Sequence, residues 1–135
     1  MPAGEDNSIR EKLRKSLLFR YLDDNALMEI LALSEIVRYG ADERIISEGE
    51  VNPYLYIVLD GTVNVLVEEH SGKEVYVGVI GEGDVFGEAG IFLSVKRTAN
   101  IVSADDTSIL RISRDGLHEF IYKFPSSGVK MLLII

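Results

Sequence analysis

Nine of the twelve glycines in this chain fall between residues 40 and 90, at positions 40, 49, 61, 72, 78, 81, 83, 87 and 90. Most of them punctuate short β-branched runs, so the middle of the chain reads as brief strands joined by tight turns. Ile45-Ile46 precedes Glu48-Gly49-Glu50, and Tyr54 to Leu59 runs into Asp60-Gly61, a hairpin-turn pair. Val63, Val65 and Val67 alternate before His70-Ser71-Gly72-Lys73, and Val75, Val77 and Val79 alternate before Gly81-Glu82-Gly83. Two further strands are predicted near Arg97 to Ser103 and Thr107 to Ile112, separated by Asp105-Asp106. Turn signals every ~10 residues between alternating runs predict a β-sandwich or barrel. Gly49, Gly61, Gly81 and Gly83 are read as turn glycines with positive φ.

Both flanks read as helical. Ser8 with Glu11 three positions on is a capping-box pattern, followed by Ile9, Leu13 and Leu17 on one helix face. Asp23 and Asp24 offer N-caps to a second helix carrying Leu27, Ile30 and Leu31. The helical character is expected to last to about Gly40. Past the strands, Ser113 offers a cap to a helix through Leu117, Phe120 and Ile121 that Pro125 stops. Ser126 or Ser127 then offers a cap to a last helix, Val129 to Ile135, ending on five apolar residues. These are expected to form a partner surface or the start of a longer helix. Residues 1–17 are thus assigned to an N-terminal helical extension, 18–128 to the main domain, and 129–135 to the start of a short or truncated C-terminal helix.

A chain of 135 residues makes one domain and needs no disulfide to fold. It has no cysteine, which excludes thiol catalysis and thiolate metal sites. The net charge of −8 repels phosphate backbones, so no nucleic acid is expected to bind this chain alone. No apolar run approaches the ~20 residues of a membrane helix, and the N-terminus lacks signal-peptide character. The expected location is cytoplasmic, with no membrane contact.

The stretch Gly83 to Ala99 interrupts the strand pattern with small residues, a carboxylate, a short apolar turn and a cation. Gly87 and Gly90 let the backbone approach a ligand closely. A short helix near Ala89 would turn free N–H groups outward, where they bind anions. Arg97 adds a planar fork for two phosphate oxygens. Glu88 accepts hydrogen bonds only, so beside an anion it needs a donor such as a sugar hydroxyl. Phosphate and ribose of a nucleotide meet both demands.

Phe86-Gly87-Glu88, eight residues and then Arg97-Thr98-Ala99 resembles the phosphate-binding cassette of cyclic nucleotide-binding domains, the module of protein kinase regulatory subunits, catabolite activator proteins and cyclic-nucleotide-gated channels. Ile46-x-x-Gly49, Tyr56-Ile57-Val58-Leu59-x-Gly61, Gly83-Asp84-x-Phe86 and Phe124-Pro125 extend the resemblance over about residues 18 to 128. The resemblance implies a mainly β fold, an eight-stranded double-stranded β-helix (jelly-roll) barrel flanked by α-helices, with the ligand inside. It implies that Glu88 accepts from the ribose 2′-hydroxyl and that Arg97 pairs the cyclic phosphate with the backbone N–H groups of Gly87, Ala89 and Gly90. Thr98 would lie beside phosphate and base, Ala99 would contact the phosphate through its backbone, and Phe86 would belong to the same ligand-binding set. The expected ligand is cAMP in preference to cGMP, with no other cofactor. The chain departs from the family pattern after Pro125, where about ten residues stand in place of a long lid helix.

The expected function is a non-enzymatic sensor that couples ligand binding to movement of flanking helices against a homodimer partner or effector domain. His70 and His118 are distant and lack the His-x-His pairing of metal-dependent jelly rolls, so no metal site and no catalytic residue are assigned. One alternative is an interaction module whose cassette is structural, with Arg97 paired to Glu88 or Asp84. Another is the sensor half of a transcription regulator whose DNA-binding part lies outside this chain. Tyr54, Tyr56, Tyr76, Phe86, Phe92, Tyr39, Tyr21 and Phe19 are assigned to packing, and Lys96 to solvent.

Overall fold

The computed structural model describes residues 3–88, 91 and 95–134, the first five of these by backbone alone. Helices α1 (Ala3–Leu13) and α2 (Asp24–Leu33) lead into eight strands: β1 (Ser34–Tyr39), β2 (Arg44–Ile46), β3 (Tyr54–Asp60), β4 (Val63–Glu68), β5 (Glu74–Ile80), β6 (Val85–Phe86), β7 (Asn100–Ser103) and β8 (Thr107–Ser113). Helices α3 (Arg114–Lys123) and α4 (Pro125–Ile134) follow.

The strands form two four-stranded antiparallel sheets, ordered β1-β8-β3-β6 and β2-β7-β4-β5, which is the jelly-roll arrangement. They do not close into a barrel. Two of the sheet-edge strands, β2 and β6, are three and two residues long, too short to carry a ladder around the corner. Asp60-Gly61 also differs from expectation, because β3 and β4 belong to different sheets and the pair turns the chain across the sandwich. Gly61 has φ +87°, and an added Cβ would lie 2.6 Å from the Asp106 carbonyl oxygen, so the crossing requires glycine. Gly49 and Gly83 also have positive φ, whereas Gly81 does not.

The run Tyr54 to Leu59 shows no polar alternation because both faces of β3 are buried. Leu55, Ile57 and Leu59 face the helices with Leu110 and Ile112 of β8, while Tyr56 and Val58 face the sandwich interior with Ile46, Val63, Phe86, Ile101 and Ile109. The helical layer contributes Ile9, Leu13, Phe19, Leu27, Ile30, Leu117, Phe120 and Met131 to the first of these cores.

Several local expectations are corrected. α1 starts at Ala3, so Ser8 and Glu11 form an interior i, i+3 pair with the same spacing as a capping box. After Leu13 the chain tightens, with i→i+3 bonds such as Ser16 N–H to the Leu13 carbonyl. At about three residues per turn Leu17 leaves the stripe and is exposed, while Leu18 and Phe19 turn inward. Asp23 caps α2 as expected, its Oδ1 accepting from Ala26 N–H at 2.8 Å. Residues 34–39, expected to be helical, form β1 because they pair with β8, from Ser34 against Ile112 to Tyr39 against Thr107. Ser113 caps α3 through Gly116 N–H. Pro125 opens α4, since a first-turn proline lacks only an N–H that has no partner there anyway. Met131 of α4 is buried while Leu132, Leu133 and Ile134 are exposed. Tyr21 and Tyr76 are exposed instead of packed, and Phe92 lies outside the described residues. No described helix is long and apolar enough to cross a membrane.

Candidate functional site

Strand β6 carries the chain from the sandwich interior to the cassette. Phe86 pairs with Tyr56 across the ladder, and the two rings stack with centroids 4.9 Å apart and planes within 4°. Gly87 follows at φ +83°, close against the start of β3. A Cβ there would lie 3.0 Å from the Tyr54 carbonyl oxygen and 3.1 Å from both terminal nitrogens of Arg97. Glu88, exposed, begins a helical turn. Ala89 and Gly90 lie outside the described residues. Ile91 is fully buried in the helix-side core, and its carbonyl accepts from Arg114 Nε of α3 at 2.8 Å.

The strand expected from Arg97 begins three residues later, at Asn100, so Arg97 precedes β7 and is held by the β2–β3 loop. Its N–H donates to the Glu50 carbonyl at 2.8 Å, its carbonyl accepts from Gly49 N–H at 2.7 Å, and Val51 bridges Lys96. The side chain folds back over this loop. Nη2 donates to the Asn52 carbonyl at 2.6 Å, the Tyr54 carbonyl at 2.8 Å and Asn52 Oδ1 at 3.2 Å. Nε is buried with no hydrogen-bond partner among the described residues. Burial draws the Arg97 pKa below its ordinary value, and Tyr56, Glu50 and Glu88 offset part of this. A guanidinium remains charged under these conditions, so Arg97 is a half-buried cation whose recorded acceptors are neutral. Neither Glu88 nor Asp84 forms an ion pair with it among the described residues; Asp84 Oδ2 accepts from Gly81 N–H at 3.3 Å instead.

Phe86, Gly87, Glu88, Arg97, Thr98 and Ala99 line one cavity of about 170 Å³, together with Ile46 and Ile101. The structure thus brings together every expected site residue it describes. Chemically, the cavity offers a cation and glycine backbone for an anion, a carboxylate for a hydroxyl, and an apolar wall. A larger cleft of about 400 Å³ lies between the α1–α2 connection and Ile134 and shares Glu88. Its cations are already engaged: Lys15 Nζ lies 3.7 Å from a Glu82 carboxylate oxygen, and Arg20 donates to the Lys15 carbonyl. Ile46, Ile101 and Asn52 went unnoticed as site residues in the sequence, where isoleucines in strands read as core and Asn52 reads as a turn residue before Pro53. The two histidines are exposed, and no described group of three or more His, Asp or Glu side chains converges.

A helix-flanked jelly roll with a guanidinium and a carboxylate on one glycine-lined cavity defines a small-ligand receptor module. The cyclic nucleotide-binding domain model matches residues 36–123, and the chain belongs to that family. It is similar to the potassium channel KAT1 of Oryza sativa subsp. japonica, 30% identical in a match that covers 90% of this chain and 17% of the channel. It is also similar to the CRP-like cAMP-activated global transcriptional regulator of Mycobacterium tuberculosis, 24% identical over 93% of this chain and 56% of the regulator. Among solved structures, the regulatory domain of Toxoplasma gondii PKA with cAMP superposes with a TM-score of 0.78 at 28% identity, over 89% of this chain and 46% of that one. The chain therefore spans about half or less of the length of these relatives.

Proposed function

We propose that this domain is a non-catalytic sensor that binds cAMP in preference to cGMP. In this reading Arg97 pairs the cyclic phosphate, with the backbone of Gly87, Ala89 and Gly90 completing the anion cradle. Glu88 accepts from the ribose 2′-hydroxyl, Thr98 and Ala99 flank the phosphate, and Phe86 supports the floor. The observation that carries the reading is Arg97 itself, a half-buried guanidinium on the same cavity as Glu88 and Gly87, bonded to neutral acceptors instead of a carboxylate. At about 170 Å³ the cavity is smaller than the ~300–1,000 Å³ usual for a ligand pocket, which suits the ribose phosphate with the base at the mouth against Ile46 and Ile101.

Signal would leave the site through Ile91 and Arg114. A rearrangement around a ligand would move Ile91, whose side chain is seated in the helical core and whose carbonyl is held by α3. A ligand shifts such an equilibrium only by its differential contacts with the two states, which Arg97 and Glu88 supply. The exposed Leu132, Leu133 and Ile134 of α4 would then meet a second copy or an effector element. We assign the sensor to residues 18–128, with 1–17 and 129–135 as its helical flanks.

The test is thermal unfolding with cAMP, cGMP and AMP. Ligand at 100 times its dissociation constant stabilises by about 2.7 kcal/mol, so cAMP is expected to raise Tm by several degrees, cGMP by less and AMP not at all. Arg97→Ala is expected to abolish the shift while still unfolding cooperatively. An unshifted wild type, with Arg97→Ala merely less stable, would instead support a structural cassette.

A further inference from the structure

The cation of this site is held by residues that lie outside the cassette. Nη2 of Arg97 has two hydrogens, and three oxygens surround it, two of them from Asn52. Arginine only donates, so the amide atom of Asn52 turned toward Nη2 must be the oxygen. That leaves Asn52 Nδ2 to donate to the Tyr56 hydroxyl, which lies 2.9 Å away and also 3.1 Å from Oδ1. Tyr56 is 1% exposed and cannot swing away. Its ring stacks on Phe86, the residue immediately before Gly87 and Glu88. One side chain thereby touches both halves of the site: the ring meets the carboxylate-bearing half, and the hydroxyl reaches the cation through Asn52.

We propose that Asn52, oriented by the Tyr56 hydroxyl, is a positioning residue that pre-sets the Arg97 guanidinium for a cyclic phosphate. The proposal deepens the reading of Arg97 as the phosphate ligand and rests on it. An arginine free to sample its rotamers must be ordered when an anion arrives. One already tied by Nη2 is not, and the difference appears as affinity. The anchor also fixes the plane of the fork, which governs whether two phosphate oxygens are met at once.

The experiment uses Asn52→Ala, Tyr56→Phe and the double variant in the full chain. Calorimetric titration with cAMP and cGMP is paired with side-chain nitrogen NMR of Arg97 in the ligand-free protein. A hydrogen bond to a charged group is worth about tenfold in an equilibrium constant, so Asn52→Ala is expected to bind about tenfold more weakly. Tyr56→Phe keeps the ring stack and loses only the hydroxyl, so it should weaken binding in the same direction. Because both act through one path, the double variant should be no weaker than Asn52→Ala alone. Arg97 side-chain resonances should shift and show freer rotation in Asn52→Ala than in the wild type, because only the Asn52 and Tyr54 carbonyls then hold Nη2, a change that a purely structural role would not produce. A folded Asn52→Ala with unchanged or tighter affinity, or with unaltered Arg97 resonances, overturns the positioning role and leaves the binding reading intact. A wild type silent toward both nucleotides sinks the binding reading and this proposal with it.

Discussion

Gly87→Ala tests the geometry of the site with one carbon atom. The native φ of +83° lies where an L-residue costs about 1–2 kcal/mol. The new methyl would also sit 3.0 Å from the Tyr54 carbonyl oxygen and 3.1 Å from Arg97 Nη1 and Nη2. Tyr54 is set in β3 against Ser113, so the strand will not move, and the arginine must give way. Loosening its bond to the Tyr54 carbonyl adds roughly 1 kcal/mol. The sum is about 2–3 kcal/mol, which for a chain this long lowers Tm by about 7–11 °C. Gly81→Ala is the control, because Gly81 has an ordinary φ and nothing within 4 Å of an added Cβ; its Tm should move by less than about 2 °C. The assay is paired thermal melts followed by nucleotide titration, where Gly87→Ala should also lose about tenfold in affinity because the displaced fork no longer faces the cavity squarely. A Gly87→Ala melt indistinguishable from that of Gly81→Ala would refute the reasoning.

Gly61→Ala should be more damaging still, because its methyl would meet the Asp106 carbonyl at 2.6 Å and Asp105 Oδ1 at 2.8 Å in addition to the positive φ; urea unfolding should show a loss of at least about 3 kcal/mol. On the alkaline side, burial raises the Tyr56 pKa above 10.0, with Asn52, Arg111 and Arg97 pulling it partly back. Above about pH 10 the unfolded chain therefore releases this proton before the folded one does, so stability present at lower pH is lost as pH rises toward the folded value. Tyr56→Phe should show a shallower alkaline decline than the wild type in urea midpoints measured from about pH 9 to 11, and parallel declines would refute that assignment.

What could be read from the sequence was what local chemistry determines. Turn glycines, the caps at Asp23 and Ser113, and the alternating valines of β4 and β5 act over a few residues, so they are visible in a few residues. The cassette was legible for the same reason: glycine, carboxylate and arginine occupy one continuous stretch, and the structure gathers Phe86, Gly87, Glu88, Arg97, Thr98 and Ala99 around one cavity. Tertiary structure alone decided whatever depends on distant partners. Residues 34–39 are a strand because β8 lies beside them about seventy positions later. Asp60-Gly61 crosses between sheets instead of closing a hairpin, because β3 pairs with β8 and β6 while β4 pairs with β5 and β7. Tyr56 was legible as a core aromatic, but its link from Phe86 to Asn52 and Arg97 was not. That link joins β3, β6, the β2–β3 loop and the approach to β7, segments no local pattern connects. Local sequence put the candidate groups in one stretch; how the Arg97 guanidinium is held was decided by the packing of those segments, because a buried hydrogen bond exists only where the whole fold brings donor to acceptor.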